Sequence, residues 1–168
     1  LYLATKNPSF FVGAPREPES YLDEQLERLQ TDYIDFYLLH NLYRECWDKA
    51  RDDGSLELLD RAKKDGRIKY AGFSFHDELP VFKEIVDAYD WDFCQIQLNY
   101  MDDEIQQGIQ GYHDLVKKEI PVVIMEPVKG GKLASFNEKV ASKLKKYNPE
   151  ASLSSWAMRW VASLDGVK

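Results

Sequence analysis

Apolar residues along this chain gather into short runs rich in β-branched and aromatic side chains. Between those runs the apolar positions recur every three to four residues. The first pattern suits strands buried on both faces and the second suits amphipathic helices, so their alternation predicts βα units around a parallel sheet. Five runs read as strands, at residues 1–5, 33–39, 68–73, 93–98 and 122–125. Helical faces are marked by Leu22, Leu26 and Leu29 after a start at Ser20, and by Leu58, Leu59 and Ala62 after a start at Ser55. Three more are marked by Val81, Phe82, Ile85 and Tyr89; by Ile105, Ile109, Tyr112 and Val116; and by Leu153, Trp156, Trp160 and Leu164. The helix opening at Ser55 closes on Lys63, Lys64, Asp65 and Gly66, where cations meet the negative end of the helix dipole and glycine permits a left-handed cap.

Composition narrows the possibilities. At 168 residues, 44% hydrophobic and 13% aromatic, there is apolar material for one packed domain spanning residues 1–168. The net charge of -7, with Lys and Arg scattered, offers no footprint for nucleic acid or an anionic membrane surface, which leaves a small molecule as the default partner. Two cysteines, Cys46 and Cys94, make neither a disulfide framework nor the roughly four-ligand set of a thiolate metal site, and the composition reads as cytoplasmic. No apolar run approaches the ~20 residues that cross a bilayer.

Five parallel strands could form an open doubly wound sheet, but no glycine-rich phosphate loop follows the first. A partial (β/α)8 TIM barrel, an α/β fold of parallel strands with outer helices, fits better. In such a barrel the side chains at the C-terminal ends of the strands converge on one face. Lys6, His40, Ser74, Gln95 and Glu126 each end one of the apolar runs, at successive gaps of 34, 34, 21 and 31 residues. Singly, each has a plain structural reading: a solvated lysine, a structural histidine, two side chains satisfying backbone groups, and a loop carboxylate bound to nearby lysines. Together they outline a site.

The stretch from Leu3 to Lys6, the stretch from Asp32 to His40, and the stretch from Gly66 to Ser74 resemble successive strand motifs of the aldo-keto reductases, in order and in spacing. Gln95 within Phe93-Cys94-Gln95-Ile96-Gln97 is similar to the family's next strand, and residues 127–133 are similar to its proline- and glycine-containing segment after the seventh. On this resemblance the chain runs from the third strand to the start of the eighth, an incomplete barrel that begins and stops mid-fold. The resemblance implies metal-free hydride transfer between NADP(H) or NAD(H) and a carbonyl or alcohol substrate. Lys6 matches the lysine that tunes the family's proton-donating tyrosine, and His40 the histidine that orients and polarises the carbonyl. Ser74 and Gln95 match positions that hydrogen-bond the nicotinamide carboxamide.

Departures from that pattern are as informative. Phe75 stands where many members place asparagine, within an unusual Phe73-Ser74-Phe75-His76 segment. Met125 stands where an aromatic residue commonly stacks on the nicotinamide, and a thioether can also pack against a ring. Glu126 follows where smaller residues are common. These features resemble a branch carrying a ferredoxin-like iron-sulfur segment beyond the barrel, so any such cluster is expected only outside this chain. Tyr2, Tyr33, Tyr37 and Tyr43 do not match the family's tyrosine motif, so the 168-residue chain alone is expected to be inactive. Two rival readings use the same fold: a Schiff-base lyase with Lys6 as nucleophile, and a cofactor-binding regulatory protein. A glycosidase built on Glu126 lacks its second carboxylic acid.

Overall fold

Five parallel strands pair in chain order: β1 (Ala4–Asn7), β2 (Ile34–Leu42), β3 (Ile68–Phe75), β4 (Phe93–Gln97) and β5 (Val122–Met125). The structure is a computed structural model describing residues 1–8 and 17–168. Helices α1 (Pro18–Leu29), α2 (Arg44–Asp52), α3 (Ser55–Asp65), α4 (Leu79–Ala88), α5 (Gly108–Lys117), α6 (Glu138–Tyr147) and α7 (Leu153–Ala162) fill the connections. A 3-10 turn, Lys132–Ala134, follows β5. Val167 bridges Val122 in parallel, so the strand-like character of the last residues is realised beside β5.

Alternation along each strand sends neighbouring side chains to opposite faces. One face, with Tyr37, Leu39, Ala71, Phe73, Cys94, Ile96 and Val122, joins Leu22, Trp47, Leu58, Leu59, Phe82, Ile85 and Leu115 from the helices in a single buried core. Each Leu, Ile or Phe fully buried there is worth about 1.5–3 kcal/mol of transfer free energy. The other face carries Ala4 and Lys6, Phe36 and Leu38, Tyr70 and Gly72, Phe93 and Gln95. On it Phe36 stacks on Tyr70 with ring centroids 5.2 Å apart and meets Phe93 edge-on at 5.5 Å. Gly72 makes room for Phe93: a Cβ at that position would lie 2.6 Å from its ring.

Strand ends differ from the sequence expectation because ladder pairing, not hydrophobicity, decides them. β1 sits about three residues later than the apolar run at 1–5, since Ala4 pairs Phe36 and Asn7 pairs Leu39. Lys6 is therefore inside the strand. β2 and β3 likewise run on through His40 and Ser74, while β4 stops at Gln97. The register of β2 against β3 skips between Leu39 and Leu42: Leu39 pairs Phe73 and Leu42 pairs Phe75, so β2 carries one additional residue there, a bulge. Asn41 sits in that interval at φ 56°, and its N–H is taken by the Ser74 hydroxyl oxygen at 2.7 Å.

Helix α1 begins at Pro18, a residue suited to the first turn, rather than at Ser20, whose hydroxyl donates to the Glu17 carbonyl at 2.8 Å. Helix α3 ends as expected on Gly66 at φ 86°. Helices α2 and α6 are additions to the sequence reading. The buried face of α2 is only Cys46, Trp47 and Ala50 within a charged run, and α6 has no fully buried residue.

Candidate functional site

Pairing registers sort the inner face into layers. Lys6, Leu38, Gly72 and Phe93 share one. Two residues further toward the C-terminal ends, Ser74, Gln95 and Val123 share the next, and His40, two beyond Leu38, rises to the same level. Gln97 and Met125 form the layer above. Lys6, His40, Ser74, Gln95 and Met125 thus lie on one face of the sheet, within three successive layers.

His40 is half-buried, and its pKa is held below the usual 6.5 by that burial, then by the charge of Lys6 and by His76. Loss of water disfavours the charged imidazolium, and a nearby lysine cation disfavours it further, so the ring is neutral at pH 7. Ser74 is fully buried, and because its oxygen accepts the Asn41 N–H, its proton is left to donate. Gln95 Oε1 is buried and accepts no hydrogen bond among the described residues. A buried acceptor of this kind forfeits about 1–3 kcal/mol unless something else supplies a donor. An amide N–H beside Ser74 would satisfy it, and that is the chemistry of a carboxamide-bearing ligand.

Among the described residues Glu126 pairs with no lysine. It is exposed, at φ 54°, and its carboxylate accepts the Gly130 N–H within the loop after β5. The lysine of that loop, Lys129, binds Asp102 instead, and Asn99 donates to Asp102 at 3.0 Å and to the Glu126 carbonyl at 3.2 Å. Tyr37 lies on the helix-covered face bonded to Asn7 at 3.3 Å, and Tyr33 is exposed beneath Lys69.

Level with Met125, in the uppermost of these layers, lies a residue that the strand-end criterion passed over. His76, immediately after β3, accepts a hydrogen bond at Nδ1 from Gln106 Nε2 at 3.4 Å, and Gln106 Nε2 also donates to Gln97 Oε1 at 3.3 Å. The unusual Phe75-His76 pair was the signal available in the sequence. Its partner Gln106 could not be read, nor Gln97 behind it, because they arrive from the loop before α5 and from β4.

A parallel sheet with helices between its strands, and polar groups gathered at the strands' C-terminal side, defines an α/β protein of barrel type. Residues 3–168 match the sequence model of the Aldo/keto reductase family, and the chain belongs to that family. Among solved structures it is similar to a holo-form aldo-keto reductase from Bacillus halodurans, with 24% identity and a TM-score of 0.75 over 99% of this chain and 60% of that one. An aldo/keto reductase from Klebsiella pneumoniae in complex with NADP and acetate gives 19% identity and a TM-score of 0.75 over 99% and 58%. One from Brucella melitensis gives 20% and 0.70 over 99% and 60%. No curated protein sequence matches the chain. The sheet is part of a (β/α)8 barrel, and the chain spans about 60% of the length of the Bacillus halodurans structure. Among the described residues no helix is long and apolar enough to cross a membrane.

Proposed function

We propose that the protein bearing this chain is an NAD(P)H-dependent oxidoreductase interconverting a carbonyl and an alcohol, and that this chain contributes Lys6, His40, Ser74, Gln95 and Met125 to its site. The observation that carries this reading is the orphaned Gln95 Oε1 beside the Ser74 hydroxyl, in the same layer as a neutral His40 and one layer above Lys6. Ser74 and Gln95 would hold the carboxamide of a nicotinamide, the Ser74 proton to its carbonyl and Gln95 Oε1 to its N–H, and the Met125 thioether would pack near the ring. When bound, that cofactor supplies the hydride exchanged with the carbonyl carbon.

This chain's own groups prepare the acceptor. Neutral His40 donates an N–H to the carbonyl oxygen, fixing its direction and drawing electron density from the carbon. Lys6 places a fixed positive charge where the oxygen turns negative, which favours the transition state over the ground state. The aromatic floor of Phe36, Tyr70 and Phe93 keeps the lower inner face apolar. The family resemblance assigns the proton donor to a tyrosine that Tyr2, Tyr33, Tyr37 and Tyr43 do not match, and on that basis residues 1–168 alone perform no turnover.

The test begins with the intact mass of the native protein, against 19.6 kDa for these residues. Its NADPH oxidation is then followed with a panel of aldehydes and ketones. Lys6→Met should lower kcat by about a hundredfold or more. NADPH binding without reduction of any carbonyl, with the Lys6→Met variant keeping its biological effect, would establish a regulatory binder instead. Trapping of substrate on Lys6 by borohydride would establish a lyase.

A further inference from the structure

His76 is anchored from a distance by a chain whose polarity has one solution. Asp102 is a carboxylate: Lys129, together with Asn99, keeps its pKa below the usual range, so it can only accept. Gln97 Nε2 donates to Asp102 Oδ2 at 3.5 Å, which turns Gln97 Oε1 toward Gln106. Gln106 Nε2 gives one proton to that oxygen and the other to His76 Nδ1. Reversing either amide would set two acceptors face to face, next to Gln97 or against the carboxylate. Nδ1 of His76 is therefore the acceptor and the proton sits on Nε2, a donor for which the described residues show no partner.

The surroundings hold this chain in place. Gln107 Nε2 donates to the Gln97 carbonyl at 2.7 Å, and Gln106 occupies a left-handed backbone conformation at φ 58°, a strained placement that its two side-chain bonds help to retain. The His76 backbone N–H donates to the Leu42 carbonyl at 2.9 Å, tying the residue to the strand end that presents His40. By register His76, two residues beyond Ser74, stands level with Gln97, one layer above His40.

We infer that His76 is a specificity-determining residue of this site, its Nε2–H donating to an oxygen substituent on the carbon next to the reacting carbonyl, so that α-oxygenated carbonyl compounds are the preferred substrates. This inference rests on the reductase reading for the position of the carbonyl. The same geometry makes Asp102, Gln97 and Gln106 positioning residues, which act only by setting the proton of His76.

Two measurements on the full-length protein decide it. In the 15N spectrum of the imidazoles at pH 7.5, His76 should show a protonated Nε2 and an unprotonated Nδ1, and Gln97→Leu should weaken that preference. A protonated Nδ1 in the unsubstituted protein would overturn the inference without any variant having to fold. Kinetically, the ratio of kcat/KM for an α-hydroxy ketone to that for its deoxy analogue should fall about tenfold in His76→Phe, carried mainly by KM. An unchanged ratio would overturn it as well. If the unsubstituted protein reduces no carbonyl, the reductase reading fails. The inference is then judged by titrating NADPH and the α-hydroxy ketone into the labelled protein: a shift of the His76 Nε2 resonance supports it, and none refutes it.

Discussion

The Ser74 hydroxyl oxygen accepts the Asn41 N–H at 2.7 Å, across the interval in which β2 carries its additional residue. The bond gives a buried serine a structural duty while leaving its proton for a ligand. Ser74→Ala leaves the peptide N–H without its partner, at a cost of about 1–3 kcal/mol, and loosens the backbone next to His40. Urea unfolding should show the lower midpoint, and kcat/KM should fall with it. A stability equal to that of the unsubstituted protein would contradict this account of the bulge.

Folding stability should decrease as pH falls below about 6.5. His40 and His76 both have folded-state pKa values below 6.5, chiefly through burial. The unfolded chain takes up protons at a pH where the folded chain resists them, so the stabilisation is complete above 6.5 and is lost as pH drops toward the folded values. Unfolding midpoints measured from pH 8 to pH 5 should trace the decline. His40→Gln should flatten it.

Gly72→Ala should destabilise by about 1–3 kcal/mol. The new Cβ would meet the Phe93 ring at 2.6 Å and the Phe93 carbonyl oxygen at 2.8 Å. Phe93→Leu should restore only part of the loss, because the backbone contact remains. Full restoration in the double variant, measured by denaturant unfolding, would contradict this.

At Gly66 the expected cost has another origin. Nothing lies within 4 Å of a Cβ built there, but φ is 86°. Gly66→Ala should therefore cost about 1 kcal/mol through backbone conformation alone, and Gly66→Asn less, since asparagine tolerates the left-handed region. Equal thermal midpoints for the two variants would argue against a conformational cause.

Legibility followed the strength of the local pattern. The five strands and the α3 cap at Gly66 could be read because β-branched runs and a Lys-Lys-Asp-Gly stop are local signals. The ends of β1, β2 and β3 could not, because Lys6, His40 and Ser74 enter the ladder through pairing with other strands, which no window of sequence contains. Helix α2 was hidden by its charges: its apolar face is narrow, and Trp47 is held partly by donating to Glu84 at 2.8 Å. Helix α6 buries no residue fully, so it had almost no hydrophobic signature. At the site, the residue types at the strand ends were legible. The proton position on His76 was not, since Asp102, Gln97 and Gln106 meet only after folding.

The bulge between Leu39 and Leu42 works as a change of phase. Up to Leu39, even-numbered residues of β2 face the inner side of the sheet; past it, Leu42 turns to the helix-covered side opposite Phe75. A one-residue deletion at Asn41 would restore plain alternation, with Leu39, His40 and Leu42 opposite Phe73, Ser74 and Phe75, and would remove the Asn41 N–H that the Ser74 hydroxyl accepts. What the additional residue supplies is therefore a backbone donor rather than register: Leu42 would stay opposite Phe75 without it, but the Ser74 hydroxyl would lose the Asn41 N–H that fixes its orientation.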